Sequence, residues 1–253
     1  MESAYLLNVS DVLIFNVMIK EIEEALAILS IPEKAEFFPK FFKTGKGEYG
    51  EGDIFLGVKV PDQRSVAKEY YAKISLEDLS KLLSSKYHEH RLTALFMLIS
   101  KFEKTKDKTI KNEIVEFYLN HLPHVNNWDL VDSSCYKILG RYAFENQRED
   151  LLKKLSDSEE MWHKRIAVVG TMHYIKKGSF ELTKEFVTQN LKHSHDLMHK
   201  ANGWLLREMG NKNEKELIDY LNKYYKEMPR TCLRYAIEKL DEDLRQDYLK
   251  GRI

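Results

Sequence analysis

The chain has 253 residues with 40 basic and 40 acidic side chains, so it is formally neutral. That length allows one or two domains with a sizeable core, and the balance excludes a general nucleic-acid-coating protein while leaving room for a local basic surface. Two cysteines, Cys135 and Cys232, make neither a metal cluster nor a disulfide framework, and no apolar run is long enough to span a bilayer; the expectation is a cytoplasmic chain with reduced core thiols, no metal and no membrane partner.

Residues 1–17 read as an N-terminal extension. Val9 to Val17 is apolar, but no basic residue precedes it and no small-residue cleavage site follows, so a signal peptide is rejected. Met18 is an alternative start, and the helix-forming run Ile19-Lys20-Glu21-Ile22-Glu23-Glu24-Ala25-Leu26 begins just after it. Residues 18–74 read as atypical N-terminal helices around a loop, Lys43 to Asp53, that gathers four glycines. It has neither phosphate-loop arrangement in the required strand-to-helix context, so it is not expected to hold a nucleotide. Phe55-Leu56-Gly57-Val58-Lys59-Val60-Pro61 is a short extended stretch, with Pro61 in the first turn of the next helix.

From Ser75 two kinds of helical segment alternate up to residue 240, leaving 241–253 as a C-terminal tail. Ser75 is an N-cap and Asp78 its capping-box acid. His90 to Ile99 is apolar nearly all round, so it is expected to be buried. Second helices begin near His90, Trp128, Trp162, Met198 and Pro229, at spacings of roughly 31–38 residues, the range of two-helix repeats. Four starts put a basic residue before an alanine: Arg91/Ala94, Arg165/Ala167, Lys200/Ala201 and Arg230/Ala236. The small residue allows close packing, and units that cannot bury their apolar face alone stack into a curved array. The expected fold is a single all-α domain over 1–253, a curved α-solenoid; an irregular helical bundle is the alternative.

Equivalent positions of stacked repeats line one face. Helix N-termini carry partial positive charge, and Arg91, Lys164, Arg165, Lys200 and Arg230 near them make a row of anion sites suited to a phosphate backbone. Met161 to Gly178 has Lys164, Arg165, Lys176 and Lys177 and no acid, although such a run also serves as a solvated repeat edge. Trp128 and Asp132, four apart, share a helix face. Trp204 and Arg207 are neighbours three apart. Tryptophan is more often core than ligand-binding, yet Asn126-Asn127 before Trp128 and Asp129 after it make a polar helix start; Trp162 is the most structural of the three. Asp129 complements the helix dipole. Asp132 needs a partner if buried, with Arg165 the natural one, and a purely structural Asp132–Arg165 pair is the bland alternative. His88/His90, His121/His124 and His193/His195/His199 have metal-like spacings but no supporting cysteines or acids, so zinc is not expected.

These residues carry a resemblance. The chain resembles the DNA alkylation repair glycosylases built of HEAT-like repeats, from about Ile19 to Lys239. The motifs are Phe55-Leu56-Gly57-Val58, Trp128-Asp129-Leu130-Val131-Asp132-Ser133, Trp162-His163-Lys164-Arg165-Ile166-Ala167 and Lys200-Ala201-Asn202-Gly203-Trp204-Leu205-Leu206-Arg207-Glu208. The resemblance implies a lesion site on Trp128, Asp132, Arg165 and Trp204, with Arg207 a backbone contact. The position after the first motif, often glutamine, is Lys59, and an aromatic of the first helices falls on Phe41; both bear on DNA contact. The implied activity is monofunctional hydrolysis of the N-glycosidic bond of N3- and N7-alkylated purines in double-stranded DNA, by a monomer without cofactor. A non-catalytic DNA-binding relative and a protein-binding repeat scaffold are the alternatives.

Overall fold

The computed structural model describes residues 9–253, with side chains from Val17 onward. Residues 1–8 of the expected extension lie outside the described residues. Nearly all the named elements are α-helices, and an isolated bridge between Ile54 and Tyr87 is the one β pairing among the described residues. No described helix is long and apolar enough to cross a membrane. The chain divides into two compact units, with the division between Leu130 and Val131.

The first unit holds α1 (Val9–Ile28), α2 (Pro32–Phe41), α3 (Val60–Tyr70), α4 (Leu76–Leu83), α5 (His88–Lys104), α6 (Lys108–Asn120) and the first turn of α7 (Trp128–Ser134). Helix α1 does not wait for Ile19, as expected from sequence; it runs on upstream through the apolar segment. Ser75 caps α4, its hydroxyl accepting the Asp78 amide at 3.0 Å and donating to the Asp78 carboxylate at 3.0 Å. Pro61 is in the first turn of α3, where a missing N–H costs nothing. Helices α3 and α4 pack on α5, which is buried from His88 to Ile99. That stretch includes four polar or charged side chains at its start, His88, Glu89, His90 and Arg91, all of which need partners.

Glu89 finds its partners in the extended stretch. Its carboxylate accepts the amides of Leu56, Gly57 and Val58 at 3.0, 2.8 and 3.2 Å. Gly57 sits at φ 84°, and a β-carbon there would lie 2.3 Å from the carbonyl oxygen of Ile31. This explains the motif: Gly57 alone permits the turn, Glu89 satisfies its amides, and Phe55 and Val58 face the core.

The second unit continues α7 through a π-helical turn, Tyr136–Gly140, into α8 (Arg141–Glu145). Then come α9 (Glu149–Ser156), α10 (Met161–Gly170), α11 (Met172–Lys176), α12 (Glu181–Gln189), α13 (Asp196–Lys212), α14 (Glu214–Tyr224), α15 (Arg230–Ala236) and α16 (Glu242–Lys250). Helices α9 and α13 pack on α10, and α14 and α15 on α13. Observed starts at His88, Trp128, Met161, Asp196 and Arg230 follow the expected second helices within two residues. Ala94, Ala167, Ala201 and Ala236 are buried as expected. A glycine pair also brings backbones together: a β-carbon on Gly140 would lie 2.2 Å from the carbonyl oxygen of Gly170. Cys135 and Cys232 are free, buried thiols, and burial pushes both up, Cys232 to about 12.

Candidate functional site

In the second unit, Asp132 and Arg165 form a fork. Arg165 Nε donates to Asp132 Oδ1 at 2.9 Å and Nη2 to Oδ2 at 2.7 Å. The third arm, Nη1, donates to the carbonyl of Leu197 in the first turn of α13. The arginine side chain is 5% exposed and the aspartate 18%. Arg165 is therefore an internal tie rather than a surface cation, and it fixes a carboxylate that still reaches the surface.

Trp204 is half-buried on α13 and donates its indole N–H to Glu208 at 3.1 Å. Arg207, expected on a phosphate, is held by Glu238 and lies 3.7 Å from Glu208. Lys200 pairs with Asp196 at 2.8 Å, and Arg230 donates to the Leu249 carbonyl at 3.1 Å. Partly exposed ion pairs of this kind contribute little to stability. Lys164 is half-buried near the start of α10.

In the first unit, Trp128 rests on a cluster of rings in which Phe42, Phe55 and His88 all touch one another. Its ring stacks on Phe42 (centroids 5.4 Å, planes 15° apart), Phe42 on Phe55 (4.9 Å, 18°) and Phe55 on His88 (4.8 Å, 25°). Phe41, half exposed, meets the indole edge-on at 5.9 Å. Lys59 is exposed beyond the Phe55–Val58 turn.

Through His88 the ring cluster joins a largely buried polar network that the sequence did not reveal. His88 Nδ1 lies 3.0 Å from Asp53 Oδ2, and Nε2 lies 2.7 Å from Asp129 Oδ2. Arg91 Nη2 lies 2.6 Å from Asp53 Oδ1, and Nη1 donates to Asn126 at 2.7 Å. Asn127 donates to Asp53 at 3.2 Å and accepts the Trp128 amide at 2.8 Å. Burial alone would push the His88 imidazole down; the charge of Asp129 and hydrogen bonds to both aspartates outweigh it and hold it up at about 9. Burial would likewise raise Asp53, but the hydrogen bond from His88 and the charge of Arg91 keep its carboxyl below the usual range.

Two sequence expectations change here. Arg91 is not part of a surface row of anion sites: it is buried, and its guanidinium balances Asp53. Asp129 does more than complement a dipole, because it is one jaw of the His88 clamp. The only hint in the sequence was the polar run Asn126-Asn127 before Trp128. The histidines with metal-like spacing cap and brace helices instead. His195 accepts the Leu197 amide at 3.1 Å, His193 accepts the His195 amide at 3.1 Å, and His121 meets Ser80 at 2.7 Å. No group of three metal-ligating side chains occurs among the described residues.

The sequence matches the family described as DNA alkylation repair enzyme over residues 22–240. No curated protein matches the chain. Among solved structures, a predicted DNA alkylation repair enzyme from Enterococcus faecalis is similar, with 17% identity and a TM-score of 0.67 over 84% of this chain and 97% of that one. At that identity the likeness is one of fold.

Proposed function

The chain belongs to the DNA alkylation repair enzyme family, and from that premise we propose that it is a monofunctional glycosylase that releases cationic N3- and N7-alkylated purines from double-stranded DNA. Family membership itself assigns the coarser role, repair of alkylated DNA, with DNA as the partner. The finer reading rests on the Asp132 carboxylate, oriented by a buried arginine yet open at the surface.

The chemistry needs little more. An alkylated purine already carries positive charge, so it leaves as a neutral base without a general acid. The C1′–N bond breaks, positive charge grows on the deoxyribose, and a water oxygen bonds to C1′. Asp132 stabilises that charge and accepts the water's proton. In this reading the faces of Trp128 and Trp204 favour a cationic base by roughly 0.5–2 kcal/mol each, which disfavours neutral, undamaged ones. Phe41, Lys59, Lys164, Lys200, Arg207 and Arg230 are proposed to contact the DNA.

A second reading has one observation in its favour. All three arms of Arg165 are used inside the protein, as in a purely structural tie, and a non-catalytic DNA-binding relative needs no more than that. The test is single-turnover release of 3-methyladenine and 7-methylguanine from methylated duplex by the parent chain and Asp132→Asn. The glycosylase reading requires release by the parent and its loss in the variant. Binding without release by the parent selects the second reading.

A further inference from the structure

His88 lies outside the four motifs that carry the family resemblance, yet it is bonded on both ring nitrogens. A neutral imidazole has one N–H and would turn a lone pair toward one of the two carboxylates. With Asp53 at 3.0 Å and Asp129 at 2.7 Å, both nitrogens must donate. Arg91 Nη2 comes within 3.4 Å of Nδ1, but it lies 2.6 Å from Asp53 Oδ1, so the two cations share that aspartate. Two aspartates, one arginine and one imidazolium make a largely buried set with no net charge. Phe55 covers one face of the ring at 4.8 Å and Phe42 leans on it at 4.9 Å. Phe42 is also the surface on which Trp128 stacks, and Asp129 follows Trp128 in the chain.

We propose that His88 is a positioning residue for Trp128: clamped between Asp53 and Asp129, it sets both the ring cluster under the indole and the first turn of the helix that carries it. This rests on the reading of Trp128 as a lesion-facing ring. Two independent paths connect them. One runs through stacked rings, Phe55 and Phe42; the other runs through Asp129 and the backbone of α7. Losing the proton of His88 loosens both, because one aspartate then faces a lone pair. The groups that face the ring and set its titration are Asp53 from the loop, Arg91 from α5 and Asp129 from α7, with Asn127 bonded to Asp53.

The test uses the full chain with Trp162→Phe and Trp204→Phe, which leaves Trp128 alone of three tryptophans. Its emission and acrylamide quenching are followed from neutral to alkaline pH. The expected result is a shift toward an exposed indole with a midpoint near the His88 value of about 9, and the shifted signal at every pH in His88→Gln. Asp129→Asn keeps Asp53 on the ring and is expected to lower the midpoint, so it carries the test if His88→Gln does not fold. With all tryptophans present, His88→Gln is expected to slow single-turnover base release by about 10- to 100-fold, as for a misplaced site group, with affinity for undamaged duplex unchanged. A Trp128 signal that ignores pH in the parent overturns the proposal, as does a parent-like signal in His88→Gln or an unmoved midpoint in Asp129→Asn. If the fluorescence behaves as expected and the parent releases no base, the glycosylase reading fails and the positioning role stands.

Discussion

Asp132 and Arg165 are each the fifth residue of their helix, α7 and α10, and they meet through two hydrogen bonds of 2.9 and 2.7 Å. Equivalent positions of two repeats have thus become opposite charges. Removing either partner strands the other. Arg165→Ala and Asp132→Ala are each expected to cost about 3 kcal/mol, the low end for a buried pair because the aspartate reaches the surface. The double variant should cost clearly less than the sum. Urea denaturation of the four chains checks it; additive costs would mean the pair is not coupled. Base release should fall about 10²- to 10³-fold in Asp132→Asn if the carboxylate stabilises the transition state.

The histidines of α5 give the stability a two-sided pH dependence. His88 is raised to about 9, so its contribution is complete below its unfolded value of 6.5 and is lost as pH rises through 9. Burial pushes His90 down to about 4, so the unfolded chain takes up a proton the folded one refuses. That contribution is lost as pH falls from 6.5 toward 4. Asp53, held low, adds an acid limb of its own at still lower pH. Each histidine limb is worth on the order of 3 kcal/mol. Thermal unfolding across pH should peak between the limbs, and His88→Gln should flatten the alkaline one alone.

Gly140→Ala tests the packing of α10. Alanine is the better helix former by about 1 kcal/mol, so a roomy site would gain stability. Here the new β-carbon would lie 2.2 Å from backbone oxygen. The expected outcome is a loss of about 3 kcal/mol, since a backbone cannot step aside as a side chain can. A rise in the urea midpoint would contradict the crossing.

Salt dependence separates surface cations from the buried one. Lys164→Ala is expected to lower the slope of log affinity against log salt by about 0.9, one phosphate's worth. Arg91→Gln should leave the slope unchanged and lower the melting temperature, because it deprives Asp53 of one of its two cations. Titrations of an undamaged duplex at several salt concentrations decide both.

The helical plan was legible because it is written locally. Repeat spacing placed the second helices, and Ser75 announced its cap three residues ahead of Asp78. Asp132 with Arg165 was also readable, as a carboxylate that needed a cation. The His88 network was not, because its members come from distant stretches: Asp53 lies 35 residues from His88 and 74 from Asn127. No local pattern marks such a set. Arg91 was misread for the same reason. A cation near a helix start looks like a surface group until its acid, which arrives from a glycine-rich loop, is known.

Glu89 reaches back 31 to 33 residues to hold the amides of Leu56, Gly57 and Val58. Those amides have no strand or helix of their own to protect them. Their exchange with solvent hydrogen is therefore governed by the first turn of α5, a separate element. When that turn opens, Glu89 and His88 leave together, and the turn, the ring cluster and the seat of Trp128 come apart in one event. The three amides and the opening residues of α5 should behave as one unit of local unfolding, although Glu89 stands 31 to 33 residues further along the chain.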